Sequence, residues 1–162
     1  MHKVIWIMGE EKFKKEICLI LHNIRSAYNV GAIFRTADAA GVGKIYLGGY
    51  TPTPANSKVA KVSLGAEKTV VWEKYFNTWR LAEELKSKKI RIVALEQSKN
   101  SRDYRGFRPK FPLAVLVGNE VRGLSPRILK RASSVWHIPM RGKKESLNVA
   151  VAAGVFIYKV LE

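Results

Sequence analysis

The chain has 162 residues, of which 47% are hydrophobic and 10% aromatic, so it holds enough apolar material for the core of one folded domain and is not a disordered chain. Lysine and arginine number 29 against 13 acidic residues, and the net charge of +16 favours polyanionic partners, with nucleic acid first among them. A lysine-rich proteome would also raise the charge, so charge alone does not decide the function.

The opening residues 1–16, MHKVIWIMGEEKFKKE, contain an apolar stretch that is too short for a secretion signal or a membrane span. Cys18 is the only cysteine, so no disulfide can form within the chain and a reducing compartment is expected. These features predict a cytoplasmic protein that does not associate with membranes.

Five short apolar runs recur along the chain, with helical patterns between them. The runs are uniformly apolar rather than alternating, which is typical of strands buried on both faces of a parallel sheet. This alternation of strand and helix patterns predicts an α/β fold in which ligands bind at the carboxyl ends of the strands. The predicted strands are residues 17–21, 44–48, 90–95, 113–118 and 134–139.

Four segments have helical patterns. Residues 29–40 carry an apolar stripe, and residues 78–88 combine an apolar stripe with a charged outer face. A third helix is predicted to begin at Ser125-Pro126, where a capping residue precedes a proline at the first helical position. The apolar series 149–160 is too short to span a bilayer and predicts a helix that packs in the core or in a dimer interface.

Two polar segments that contain prolines, residues 51–57 and 97–112, are predicted loops, and the second is long enough to be functional. Within it, residues 104–108 (YRGFR) interleave aromatic and basic side chains, which suits phosphate pairing and base stacking but equally suits anchoring of the loop. Three tryptophans fall in regular elements and are predicted to pack in the core: Trp72, Trp79 and Trp136.

Two further segments are candidate ligand sites. GNEVRG (118–123) follows a predicted buried strand, so its glycines could let backbone approach a ligand, although a simple tight turn explains them as well. PMRGKKESLN (139–148) leads into the last helix, whose start could orient polar ligand groups, while Ser146 or Asn148 could instead only cap that helix.

Other chemistries find no support in the sequence. His2, His22 and His137 are far apart, and Cys18 has no ligand-spaced partner, so no metal site is predicted. A Gly-x-Ser-x-Gly hydrolase motif and the common nucleotide-binding fingerprints are also missing from the sequence.

Three segments taken together resemble the conserved blocks of the SpoU (TrmH) branch of the SPOUT methyltransferases, in the same order and at similar spacing. The resemblance implies a mostly parallel sheet flanked by helices, with a deep trefoil knot in the C-terminal third. It also implies a homodimer. The chain length predicts one domain over residues 1–162, and too few residues precede the first predicted strand for a separate N-terminal RNA-binding domain. The segments are NIRSAYNVGAIFRTADAAGV (23–42), LAVLVGNEVRGLS (113–125) and IPMRGKKESLNVAVAAGVFIYKVL (138–161).

The resemblance implies transfer of a methyl group from S-adenosylmethionine to a ribose 2′-hydroxyl of tRNA or rRNA. Arg35 takes the central role, either as a base or as a cation that binds phosphate and stabilises developing negative charge. The family's other polar site positions correspond to Asn29, Glu120, Ser146 and Asn148. Its cofactor-binding positions, which act largely through backbone groups, correspond to Leu116, Gly118, Ile138, Met140 and Leu147.

RNA contacts are predicted from charge and loop position. A catalytically silent RNA-binding protein with the same fold is the main alternative function, and a small nucleotide-binding regulator is a third. The predicted phosphate-binding residues are Arg25, Lys58, Lys61, Arg108, Arg122, Arg141, Lys143 and Lys144.

Overall fold

The computed structural model describes residues 16–162. The expectations for the opening segment, residues 1–16, therefore fall outside the described part of the chain, except at Glu16. His2 also lies outside the described part. Within residues 16–162 the strands are β1 (Ile17–His22), β2 (Lys44–Gly48), β3 (Val71–Tyr75), β4 (Arg91–Leu95), β5 (Arg102–Asp103), β6 (Leu113–Val117) and β7 (Ser134–His137). The helices are α1 (Ala27–Ala39), α2 (Ser57–Ser63), α3 (Ala66–Thr69), α4 (Thr78–Ser87), α5 (Pro126–Leu129) and α6 (Val149–Leu161).

The strands form one sheet in the order β3-β2-β1-β6-β4-β7-β5, and neighbouring strands pair in parallel. The predicted α/β fold with a mostly parallel sheet is confirmed, whereas the trefoil knot stays a prediction. Although β6 follows β4 in the chain, it lies between β1 and β4. Because the strands are parallel, the carboxyl ends of β1, β6, β4 and β7 meet at one edge.

Two apolar layers cover the sheet. On one face, α1 and α6 pack over a core that contains Phe34 and Phe156, both fully buried. On the other face, α4 and α5 pack over a second core that contains Ile20, Leu81 and Leu116. Burying a side chain of this size stabilises the fold by about 1.5 to 3 kcal/mol, so the two layers hold the sheet and its carboxyl edge rigid.

Helix α1 illustrates how local sequence sets an element. Ser26 caps it, with its hydroxyl accepting a hydrogen bond from the Asn29 backbone at 3.2 Å. Val30, Ile33 and Phe34 form the buried stripe, as predicted. The helix begins at Ala27, two residues before the predicted start, because the cap lies at Ser26.

The five predicted strands and four predicted helices are present, but others were missed. Strands β3 and β5 lie at the two edges of the sheet, where a strand has one neighbour and needs less apolar sequence. Helices α2 and α3 are too short for a clear apolar stripe. The segment 97–112 is not entirely loop, since it contains β5 and a short 3₁₀ turn.

One of the three tryptophan predictions was wrong. Trp136 is buried and Trp79 packs partly against the second core, but Trp72 is 37% exposed because β3 is an edge strand. In the YRGFR segment, Phe107 is buried, with ring centroids 5.1 Å from both Trp136 and Phe156. For Phe107, anchoring of the loop is therefore the correct reading.

Residues 16–162 offer neither a membrane-crossing helix nor a metal-binding cluster. Among the described helices, none has both the length and the apolarity that crossing a bilayer requires. No cluster of three or more His, Cys, Asp or Glu side chains in the same range is arranged to hold a metal ion.

Candidate active site

A cavity of about 300 Å³ opens at the carboxyl ends of β6, β4 and β7. This volume is at the lower end of the range for small-molecule sites. The turn after β6, the segment after β7 and the start of α6 all contribute to its wall. Six residues predicted from sequence line it: Gly118, Glu120, Ile138, Met140, Ser146 and Leu147.

The turn after β6 is built by close backbone packing. Gly123 donates its N–H to the Asn119 carbonyl at 2.9 Å, and the Asn119 side-chain oxygen accepts the N–H groups of Val121 and Arg122 at 2.9 and 2.8 Å. A Cβ at Gly118 would lie 2.8 Å from the Gly123 carbonyl carbon. The segment is thus a tight turn that also forms part of the cavity wall, and the approach of its backbone to a ligand stays a prediction.

Glu120 connects this turn to the start of α1. Its carboxylate accepts hydrogen bonds from the backbone N–H groups of Arg25 and Ser26 at 2.9 and 3.0 Å, and from Asn29 Nδ2 at 3.0 Å. Partial burial by itself raises the pKa of Glu120, but these hydrogen bonds to the ionised form outweigh burial and lower it. The carboxylate also lies at the positive end of the α1 dipole.

Asn29 and Asn148 continue the connection to α6. Asn148 Nδ2 donates to Asn29 Oδ1 at 3.0 Å, while Asn148 Oδ1 accepts the N–H groups of Ala150 and Val151 at 2.9 and 3.3 Å. Asn148 therefore caps α6 and at the same time joins a polar chain, Glu120–Asn29–Asn148, that ties three segments together. The sequence had left capping and a site role as alternatives for this residue.

Two predicted residues lie elsewhere. The Leu116 side chain points into the second core, one residue before the first wall residue of β6. Arg35 is exposed on α1, six residues after Asn29, and lies outside the described residues that line the cavity. A single copy of the chain therefore does not bring Arg35 to the cavity.

The eight predicted phosphate-binding residues are all exposed. Arg122 belongs to the turn after β6, and Lys143 and Lys144 lie between the wall residues Met140 and Glu145. Lys58 lies on α2, with its Nζ 5.9 Å from the ring centroid of Tyr28. Arg122, Lys143 and Lys144 are thus close in the chain to wall residues of the cavity.

A family model described as the SpoU rRNA Methylase family matches residues 16–158. The chain belongs to this family. The resemblance found in the three sequence segments is thereby confirmed.

Proteins of several bacteria are similar to this chain. The TrmH family protein YacO of Bacillus subtilis is 34% identical over 94% of this chain and 61% of its own length. The tRNA (guanosine(18)-2′-O)-methyltransferase of Aquifex aeolicus is 36% identical over 92% of this chain and 70% of its own length. The crystal structure of an AdoMet-bound rRNA methyltransferase from Sinorhizobium meliloti superposes with a TM-score of 0.80 at 30% identity, covering 89% of this chain and 55% of that one. The chain thus spans less than two thirds of YacO and of the S. meliloti protein.

The sequence prediction missed much of the cavity wall. Glu96, directly after β4, accepts the Leu124 N–H at 2.7 Å and so fixes the end of the turn after β6. The expectation that ligands bind at the carboxyl ends of strands could have indicated it, but only the strand order shows that β4 lies between β6 and β7. Four wall residues that were not named singly fall within the two candidate segments 118–123 and 139–148: Asn119, Val121, Gly123 and Glu145. The other missed wall residues are Leu95, Gln97, Val117, His137, Val149 and Ala152.

Proposed function

We propose that this SpoU family chain is an RNA ribose 2′-O-methyltransferase that uses S-adenosylmethionine and acts on tRNA or rRNA. The observation that carries the proposal is the cavity at the carboxyl edge, where four family cofactor positions meet the polar chain Glu120–Asn29–Asn148. The name of the A. aeolicus relative supports the activity, and the cofactor in the S. meliloti structure supports the methyl donor.

The wall of the cavity suits S-adenosylmethionine chemically. Leu95, Val117, Ile138 and Leu147 offer apolar surface for a flat adenine ring. Carboxylates in the wall, such as Glu96, suit a ligand that carries positive charge. When bound, the cofactor supplies an electrophilic methyl group on a positively charged sulfur.

The residues of the chain position the acceptor and stabilise charge. With the cofactor bound, its methyl group would be transferred to the ribose 2′-oxygen, which would leave a neutral thioether, and the hydroxyl proton would pass to water. We assign Arg35 a charged role, because a guanidinium stays protonated at neutral pH and can bind the adjacent phosphate and stabilise developing negative charge on the oxygen. The chain Glu120–Asn29–Asn148 holds the cavity wall against α1 and α6.

We also propose that the active form is a homodimer. Because Arg35 lies outside the cavity of its own chain, the site would be completed by the Arg35 side chain of a second copy. Helix α6 buries Phe156 and Ile157 in the core but leaves Val151, Val155 and Tyr158 exposed on another face. An apolar helix face of this kind suits a self-complementary contact. Light scattering of the purified protein should give the mass of two chains, and a monomer at working concentration would contradict this proposal.

We propose that the exposed basic residues beside the cavity wall bind the RNA through phosphate contacts and that the protein is cytoplasmic. We propose one methyltransferase domain for the chain, within which the catalytic surface also recognises RNA. The net charge of +16 supports this reading over a small nucleotide-binding regulator.

Incubation of the purified protein with methyl-labelled S-adenosylmethionine and with total tRNA or total rRNA tests the activity. We expect label in one pool, and nucleoside digestion should place it on a ribose 2′-oxygen. RNA binding and cofactor binding without label in either pool would favour the catalytically silent alternative. Label on a base would contradict the proposed acceptor.

A further inference from the structure

Two large aromatic side chains stand exposed at the carboxyl ends of neighbouring strands. Tyr50, two residues after β2, is 56% exposed, and Phe76, directly after β3, is 83% exposed. Single exposed apolar residues are common on protein surfaces. Two such rings on the edge that carries the cavity need a more specific explanation.

Tyr50 is exposed but firmly held. Its backbone N–H donates to Asn23 Oδ1 at 3.1 Å, and its hydroxyl accepts a hydrogen bond from Asn119 Nδ2 at 2.8 Å. The next residue, Thr51, is buried, with its hydroxyl 2.8 Å from the Leu21 carbonyl oxygen and 2.7 Å from that of Gly48. The ring is therefore presented in a fixed orientation, which lowers the entropic cost of binding a ligand on it.

Phe76 lies beside this segment. Gly48 pairs with Tyr75 in the sheet, and Gly49 donates its N–H to the Tyr75 carbonyl at 3.0 Å. Lys74 Nζ donates to the Gly49 and Thr51 carbonyls at 2.6 and 2.7 Å. The same ammonium is 5.5 Å from the Phe76 ring centroid, so positive charge lies near the Phe76 ring and at the backbone on either side of Tyr50.

The rings extend outward from the cavity. Asn119, which bonds to the Tyr50 hydroxyl, is itself a wall residue. Strands β1, β2 and β3 follow β6 in order across the sheet, so the end of β3 is about 14 Å from the end of β6 at the usual strand spacing. We call the side chains of Tyr50 and Phe76 the aromatic rim.

We propose that the aromatic rim stacks unpaired nucleobases of the RNA next to the target ribose. This inference rests on the proposed function and extends it to a substrate class, single-stranded segments. The argument is chemical: nucleobases stack on aromatic faces in a sequence-tolerant way, and cations along the same surface track the phosphates. Bases inside a duplex are covered by their neighbours and cannot reach such rings. The net charge of +16 and the exposed Arg25 after β1 complement a polyanion here.

Binding of a short labelled RNA to leucine and aromatic variants tests the proposal. The probe is a fluorescein-labelled RNA of mixed sequence and about twelve nucleotides, used as a single strand and annealed to its complement. Phe76→Leu and Tyr50→Leu should each weaken single-strand binding about fivefold to a hundredfold and leave duplex binding nearly unchanged. Phe76→Trp and Tyr50→Phe keep an aromatic face and should bind the single strand like the parent protein.

Leu64→Ala is the matched control, because it removes another exposed apolar side chain outside the cavity wall and the aromatic rim, and it should change neither affinity. Single-strand affinity of Phe76→Leu equal to that of the parent would overturn the proposal. So would an equal loss for single strand and duplex, which would indicate a general effect on charge or folding. A change of oligomeric state in Phe76→Leu would place a second copy of the chain on the rim instead.

The assay with labelled S-adenosylmethionine separates this proposal from the proposed function. Methyl transfer by the parent protein together with unaltered RNA binding by the leucine variants would overturn the aromatic rim alone. If the variants bind RNA as expected but the parent protein transfers no methyl group, the aromatic rim would be supported and only the proposed activity would be overturned.

Discussion

At the scale of single residues, Glu120 should leave a signature in the pH dependence of stability. Its hydrogen bonds lower its pKa in the folded chain below the ordinary 4.5. A carboxylate with a lowered folded-state pKa stabilises the fold fully above its unfolded-state pKa, and that contribution is lost as the pH falls through the folded-state pKa. We therefore expect the free energy of unfolding to fall with acid more steeply in the parent protein than in Glu120→Gln.

Urea unfolding at a series of pH values between about 6 and 3 would measure this difference. Glu145→Gln is a suitable control, since Glu145 is an exposed carboxylate of the cavity wall that forms no hydrogen bond or ion pair with the other described residues. Identical pH dependence of the parent and Glu120→Gln would mean that the three hydrogen bonds do not favour the ionised form.

Arg35 tests the chemistry separately from the fold. Because its side chain is exposed, Arg35→Ala should fold normally. Loss of one charge-stabilising group in a transition state typically costs roughly 100-fold to 1,000-fold in rate. We expect a loss of that size in methyl transfer with cofactor affinity unchanged, and partial rescue in Arg35→Lys. Full activity of Arg35→Ala in a single-turnover assay would remove Arg35 from the mechanism.

At the scale of whole elements, Asn148 combines two roles that substitutions can separate. Asn148→Ala removes the cap of α6 and should lower the free energy of unfolding by about 0.5 to 2 kcal/mol. Asn148→Asp keeps a capping oxygen for the N–H groups of Ala150 and Val151 but has no amide to donate to Asn29.

We expect Asn148→Asp to retain the stability of α6 while losing methyl transfer, measured by thermal unfolding and by the labelled cofactor. Full methyl transfer in Asn148→Asp would show that the cap is the only contribution of Asn148.

Packing between α1 and α2 depends on a helical glycine. A Cβ at Gly31 would lie 2.7 Å from the Val59 carbonyl oxygen, which is backbone and cannot move aside cheaply. Overpacking costs about 1 to 3 kcal/mol and alanine returns at most about 1 kcal/mol in helix propensity. With the full gain in helix propensity, we expect Gly31→Ala to lower the free energy of unfolding by up to about 2 kcal/mol.

Gly154 in α6 provides the matched control for this substitution. A Cβ at Gly154 would be 3.5 Å from Thr36 Cγ2, an ordinary contact, so Gly154→Ala should be neutral or stabilising. Urea unfolding of both variants measures the difference, and equal effects would contradict the proposed close approach of α2.

At the scale of the whole molecule, the positive charge should appear in the salt dependence of RNA binding. The logarithm of affinity falls with the logarithm of salt concentration, with a slope of about 0.7 per phosphate contact for a single strand. Replacing Lys143 and Lys144 by alanine should reduce the slope by about 0.7 to 1.4. Replacing Lys86 and Arg91, which are exposed near the amino ends of the strands, should leave it unchanged. Equal slopes in both double variants would exclude a role for Lys143 and Lys144.

The sequence by itself determined the α/β class, the five main strands, the four main helices and the family. The fold class could be predicted because hydropathy periodicity records how each segment is buried. The family could be predicted because its characteristic glycines and polar residues are short local patterns in the three segments. Strand β3 was not predicted, because an edge strand does not require a uniformly apolar run. Trp72 was assigned to the core for the same reason, since the pattern could not reveal that its strand has one neighbour.

Only the tertiary structure decided which distant residues meet. Asn29 and Glu120 are 91 positions apart, and their contact depends on β6 lying next to β1. The same strand order brings Glu96 to the cavity wall and places the segment after β2 next to the end of β3. The helical turns between Asn29 and Arg35 place the arginine outside the cavity of its own chain. Periodicity records burial along one segment, whereas these contacts follow from the order in which segments pack, and that order is a property of the whole fold.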